Sequence, residues 1–302
     1  MDILKDTKID FIGKKYYAFL ISIILALIGI VAAVMIPLGK ANLGIDFTGG
    51  IAIQFKFEKT FAIEDARKIL DNAGFKDAEL QQIAGGNQLL IRLKQAEGEL
   101  KVTSDRLTEV FTQGFADNKF IVESTTAVGP KVGKKLQRDA LWAVTISLIG
   151  ILIYVAWRFE LIFGIAAVIA TFHDVLAVLG VFYVLNKEIN LLIITALLTL
   201  AGYSLTDTVV VFDRIRENLR KRGKEVIEGL INRSINEVLR RTIVTSGTTL
   251  LVLSALLIAG GEVIHDFSLA LFLGVLVGTY SSIFVASPLL LLWKGKRGRL
   301  IR

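Results

Sequence analysis

The 302-residue chain is 53% hydrophobic with a mean hydropathy of +0.60, too apolar for a soluble globular protein and typical of one that crosses a membrane repeatedly. It has no cysteine, which excludes a disulfide framework and a thiolate metal site. Its formal net charge of +7 does not read as nucleic-acid binding, because the basic residues gather beside apolar runs, as membrane orientation requires.

In chain order, residues 1–16 form a cytoplasmic segment carrying Lys5, Lys8, Lys14 and Lys15. Apolar runs near 20 residues predict transmembrane helices, and six occur, at 17–36, 140–157, 161–185, 191–212, 243–259 and 267–293. The first is too long for the core of a signal peptide and leads into Pro37-Leu38-Gly39-Lys40, so it reads as a retained anchor. Residues 37–139 are the long hydrophilic insertion, placed outside the cell. Within it, 51–57 and 88–94 alternate as strands, 63–72 and 103–116 have helical spacing with Thr103 or Ser104 as N-cap, and 120–128 is a last strand. A short strand at 79–83 completes a β-α-β-β-α-β order, predicting a ferredoxin-like α/β domain inserted in an all-α six-helix membrane bundle. The basic connection 213–242 reads as helix-forming, either a solvated loop or a surface for a partner. A basic tail follows at 294–302. Both basic segments fall on the side of the N-terminus, which the positive-inside rule makes cytoplasmic. Tyr16, Tyr17, Trp142, Trp157 and Trp293 fall at span ends, as an aromatic belt would.

Asp207 stands inside the fourth run with no neighbouring charge. A carboxylate in lipid costs several kcal/mol unless protonated, paired or hydrated, so an intramembrane acid marks a proton or ion path by default. The alternative ends the span near Ser204, but Val209-Val210-Val211-Phe212 continues it. His173-Asp174 in the third run is a second polar pair, either an outer-half step in such a path, a partner contact, or a pair satisfied by neighbouring helices. Counting rise from the run ends places Asp174 about 12 Å farther out than Asp207, which predicts no direct hydrogen bond. Asp213, Arg214 and Arg216 read as a charge cluster anchoring the inner end of the fourth span. Gly44, Gly49 and Gly50 are expected to supply backbone conformations other residues resist, as a hinge or a plain turn beside Asp46. Gly274-x-x-x-Gly278 permits close helix packing, with a partner as one taker. His265 has no companion ligands. No nucleophile–base pair, metal cluster or nucleotide loop occurs, so neither an enzyme nor a cofactor is expected.

Several stretches together resemble one family. Leu43-Gly44-Ile45-Asp46-Phe47-Thr48-Gly49-Gly50 is similar to the signature that follows the first span of SecD/SecF protein-translocase subunits. The stretch from Gly202 through Asn218, GYSLTDTVVVFDRIREN, resembles the fourth-span motif of the SecF branch, with Thr206 where relatives commonly carry Asn. Val128-Gly129-Pro130-Lys131, Trp157-Arg158-Phe159-Glu160, His173-Asp174-Val175 and the 241–249 segment beginning Arg241-Thr242 add to it in order. The small insertion favours the SecF branch over SecD. The resemblance implies an accessory subunit in a bacterial or archaeal cell membrane, of the resistance-nodulation-division superfamily. It would pair with SecD, associate with the SecYEG channel and other Sec accessory subunits, and use the proton-motive force to draw unfolded polypeptides outward. It nominates Arg241 as a cation working with Asp207, whereas the residues alone leave Arg241 an ordinary positive-inside residue. Two other readings stand beside it: a scaffold that stabilises the translocase without coupling protons, and half of a small-molecule or lipid exporter.

Overall fold

The computed structural model describes residues 7–83, 86–94, 100–221 and 225–293. Lys5, Gly85, Arg222, Lys224 and the basic tail 294–302 lie outside the described residues. In chain order the elements are α1 (Lys15–Met35), the short α2 (Ile45–Thr48), β1 (Gly50–Phe57), α3 (Ile63–Asn72), β2 (Glu79–Ile83), β3 (Gln88–Lys94), α4 (Leu100–Gly114) and β4 (Phe120–Val128). The helices α5 (Pro130–Arg158), α6 (Leu161–Val184), α7 (Leu191–Arg220), α8 (Ile227–Ala259) and α9 (Gly261–Ser281) follow. Among the described residues, six helices are long and apolar enough to cross a membrane: α1, α5, α6, α7, α8, and α9 with its continuation. The chain is a multi-pass membrane protein.

Contacts divide the chain into two units. One comprises residues 1–41, 143–187 and 192–302; the other comprises 42–142 together with 188–191.

The second unit is built on a four-stranded antiparallel sheet in the order β2-β3-β1-β4. Alternation on β1 turns Ile51, Ile53, Phe55 and Phe57 to one face, where they are buried with Leu89, Ile91 and Leu93 of β3. Ala66 and Leu70 of α3 and Leu107 and Phe111 of α4 close that face. Phe55 stacks on Phe111 at 5.1 Å and meets Phe120 edge-on at 4.8 Å. The start of α4 differs from the sequence reading. Among the described residues the helix already runs from Leu100, so Thr103 and Ser104 are interior rather than caps. A second difference concerns the glycines. Gly49 (φ +75) and Gly50 (φ +141) do adopt left-handed backbone between α2 and β1, and a Cβ on Gly50 would lie 2.1 Å from Leu93 O. Gly44 has an ordinary φ of −70, so its need is for space and not for conformation.

In the first unit α6 is the most enclosed of the spans. Its Gly164, Ala166, Ala167, Ala170, Ala177 and Gly180 are all buried and small, which lets neighbouring backbones approach. A Cβ on Gly180 would lie 2.8 Å from Gly29 N of α1. α6 closes with Asn186 at φ +50 and Lys187 N–H bonded back to Phe182 O at 2.9 Å. Gly274 and Gly278 face α7 inside the unit, against Leu200 and Ser204, which corrects the partner-facing option for that pair. α9 does not run straight to its end. A π-helical turn, Ser282–Ala286, precedes Ser287-Pro288, because proline lacks an N–H and crowds the preceding turn.

Helical structure outruns the apolar stretches at the basic connection. α7 continues to Arg220 and α8 starts at Ile227, and the two extensions bury Ile215, Leu230, Ile231 and Ile235. The N-terminal segment seats on this pair: Ile9 N–H donates to Asn236 Oδ1 (2.9 Å) and Phe11 N–H to Asn232 Oδ1 (2.8 Å). Phe11 and Ile12 are buried there.

Candidate functional site

Asp207 sits mid-way along α7, whose helix continues past it to Arg220. Its side chain is buried. Ser246 Oγ of α8 donates to Asp207 Oδ2 at 3.1 Å, and Thr279 Oγ1 of α9 donates to Ser246 Oγ at 2.7 Å. Thr245 of α8 turns its hydroxyl to Arg241 O (2.9 Å) and Thr242 O (3.0 Å) on its own helix. Among the described residues Arg241 forms no ion pair with Asp207. Arg241 is exposed and lines a cavity of about 550 Å³ with Tyr154, Thr206, Asp213, Arg214 and Glu237. Thr206 turns its hydroxyl to Gly202 O on its own helix (3.2 Å).

Asp174 is fully buried and forms a second centre. Its Oδ2 accepts from Ser204 Oγ (2.5 Å) and Ser281 Oγ (2.7 Å), and its Oδ1 lies 2.9 Å from His173 Nδ1. Ser204 precedes Asp207 by three residues on α7, about 4.5 Å of helix rise. The two carboxyl groups therefore sit closer in height than counting from the run ends predicts, because α7 does not end where its apolar run does. Among the described residues no direct bond joins them, as expected; Ser204 and Ser281 hold Asp174, while Ser246 holds Asp207. Thr171 Oγ1, Thr208 Oγ1, Thr242 Oγ1 and His173 Nε2 are buried without a partner among the described residues. Orphaned polar atoms cost stability and collect at functional sites.

Ser204, Ser246, Thr279 and Ser281 were not legible as site residues. Their only signal is hydroxyl spacing within apolar helices, which hydropathy barely registers. Removing the hydroxyl in Ser281→Ala should cost about 1–3 kcal/mol and lower the thermal midpoint of the detergent-solubilised protein by several degrees. An unchanged midpoint would mean that Asp174 does not depend on this donor.

The remaining nominated residues fall in two places. Arg214 bridges Glu237 (Nε, 2.6 Å) and Glu217, Asp213 lies 3.6 Å from Arg158, and Arg216 Nη1 donates to Arg158 O at 3.3 Å. Gly44, Asp46, Gly49 and Gly50 lie in the second unit. His265 meets its neighbour Asp266 at 3.1 Å.

A family model described as protein export membrane protein SecD/SecF, C-terminal, matches residues 108–296. A second, the SecD/SecF GG motif, matches residues 40–60. The chain belongs to the SecD/SecF family. The protein translocase subunit SecF of Thermodesulfovibrio yellowstonii is 53% identical over 97% of each chain, and that of Calditerrivibrio nitroreducens is 44% identical over 98% of each. A crystal structure of SecDF, a translocon-associated membrane protein from Thermus thermophilus, superimposes with a TM-score of 0.84 at 39% identity, covering 98% of this chain. This SecD/SecF-family chain spans 40% of that SecDF chain.

Proposed function

We propose that the chain is the SecF-type half of a protein-export complex in which Asp207 takes up and releases protons to drive movement. The observation that carries this reading is a buried carboxyl in an apolar helix, held by the Ser246 hydroxyl and with no counter-ion bonded to it among the described residues. Such a group is tolerable when protonated or briefly neutralised, and its charge state changes what packs against it. Arg241, exposed one helix over, is the cation that approaches in one conformation and withdraws in another. Asp174 with His173, Ser204 and Ser281 is the relay toward the outer half.

A fused SecDF relative supports SecD as partner, since its chain holds a counterpart of this one within 40% of its length. The SecYEG channel and the unfolded exported polypeptide complete the assembly. The basic termini and the α7–α8 connection face the cytoplasm of a bacterial or archaeal cell, and the inserted domain faces outward. The order β1-α3-β2-β3-α4-β4 with strands arranged β2-β3-β1-β4 supports the ferredoxin-like reading of that domain. The chain breaks no substrate bond; it is a transport component and not an enzyme.

The test is translocation of a secretory polypeptide in membrane vesicles holding SecD, the channel and this chain, with and without a protonophore. A gradient-dependent component that disappears when this chain is omitted supports the proposal. A loss on omission that is the same with and without the protonophore would sink it and leave the scaffold reading.

A further inference from the structure

The stretch 188–191 joins α6 to α7 yet folds with the inserted unit. Ile189 N–H donates to Asn42 O (2.8 Å) and Gly44 N–H donates to Ile189 O (2.9 Å), which sets Leu43 and Ile189 side by side as a parallel bridge. Asp46 Oδ2 accepts from Leu191 N–H at 2.9 Å. That amide opens α7, where no preceding turn supplies an acceptor, so a carboxylate there satisfies it and suits the positive end of the helix. Arg92 of β3 brings its Nε to 2.9 Å from Glu188 Oε2, with side chains only 20% and 12% exposed. A Cβ on Gly44 would lie 2.4 Å from Glu188 Oε1, which explains the glycine at an ordinary φ.

Connections between helices normally run solvated over the surface. This one is fixed by a backbone bridge, a helix cap and a nearly enclosed ion pair. Burial pushes the Glu188 carboxyl above its ordinary range; Arg92 and Lys94 act against that, while Glu79 and Asp46 add to it. The fold thus favours the protonated form, and that contribution is lost as pH rises through the raised value. Ionised Glu188 works against stability at neutral pH. Such a pair sets register and orientation rather than strength.

We propose that Asp46, Arg92 and Glu188 are positioning residues that tie the inserted domain to the first residue of α7, so that displacement of that domain is delivered along α7 to Asp207. Leu191 and Asp207 are 16 residues apart on one unbroken helix, about 24 Å. The inference rests on the proton-driven function proposed above. It requires the tie to stay closed throughout the cycle.

The chain has no cysteine, so introduced cysteines report without background. Ile189, 1% exposed, becomes the probe: Ile189→Cys should resist maleimide, and adding Arg92→Glu should open it to labelling. This reads the tie without any proton gradient. In vesicles, Arg92→Glu should lower the gradient-dependent component at least about fivefold at matched complex abundance, with gradient-independent translocation unchanged. Restoring opposite charges in R92E/E188R should recover it. An oxidised Leu43→Cys/Ile189→Cys pair should retain full gradient dependence and rescue Arg92→Glu, and reduction should undo the rescue. The idea is overturned by full labelling of the Ile189→Cys variant with Arg92 intact, by wild-type gradient dependence in Arg92→Glu, or by loss of function on oxidising the cysteine pair. Absence of gradient dependence in the wild type would fall on the proposed function, while the labelling result still judges the tie.

Discussion

Exchanging Asp207 for Asn is expected to reduce translocation to the level seen with the gradient collapsed, while leaving the complex assembled. Asparagine has nearly the shape of the acid, and its carbonyl oxygen still accepts from Ser246 Oγ, 3.1 Å away in the native chain. What it loses is the ionisable proton. Packing and hydrogen bonding are kept, so a loss restricted to the gradient-dependent component isolates proton coupling from structure. Asp207→Glu is the informative companion. It keeps the proton but adds a methylene to a side chain that is 6% exposed, an overpacking of about 1–3 kcal/mol. Partial activity with a lowered midpoint is the expected result. Thr206→Ala should be silent, because that hydroxyl is turned to its own backbone. Wild-type gradient dependence in Asp207→Asn would place the coupling elsewhere and return Asp207 to a structural role.

The second large effect lies in packing. Gly180→Leu should separate α1 from α6. Even a methyl at this position would sit 2.8 Å from Gly29 N and 3.1 Å from Gly29 Cα, and a helix backbone cannot rotate aside as a side chain can. Gly29 is tighter still, with a Cβ 2.2 Å from Leu176 O. Overpacking a well-filled core costs about 1–3 kcal/mol, and here the obstacle is backbone on both sides, so the loss should reach or exceed the upper end. Gly150→Leu is the control, since nothing lies within 4 Å of the added Cβ. It should stay within about 0.5 kcal/mol. Thermal unfolding in detergent and protease release of α1 measure both. Equal midpoints for the two leucine variants would show that the α1–α6 contact is not tight in the folded protein.

Hydropathy located the spans because burial in lipid selects apolar side chains residue by residue. The helices α7 and α8 run on past those apolar stretches, since backbone hydrogen bonding continues through Asp213 and Arg214 once the bundle supports it. Alternation made β1 and β3 legible, whereas the start of α4 at Leu100 gave no signal stronger than the misleading Thr103 and Ser104. The acids of the candidate site stood out because charge is rare in such helices. Their partners did not, because a serine hydroxyl in an apolar helix looks unremarkable until a second helix brings a carboxylate to it. The Arg92–Glu188 pair was invisible for a related reason. One residue lies in a strand and the other in a short connection, and only tertiary structure makes them neighbours.

The seat of the N-terminal segment has a consequence for biosynthesis. Phe11 is synthesised well before the Asn232 side chain that holds it, which is encoded 221 residues later. At about 5–20 residues per second, the interval is on the order of 11–44 s. Throughout it the backbone amides of Phe11 and Ile12 lack the Asn232 acceptor that holds them, while α1 has already been made. The seat of this segment is thus completed only after α8 and Phe284 have been made, and a nascent chain stalled before Ile227 should expose Phe11 to cross-linking reagents more than the full chain does.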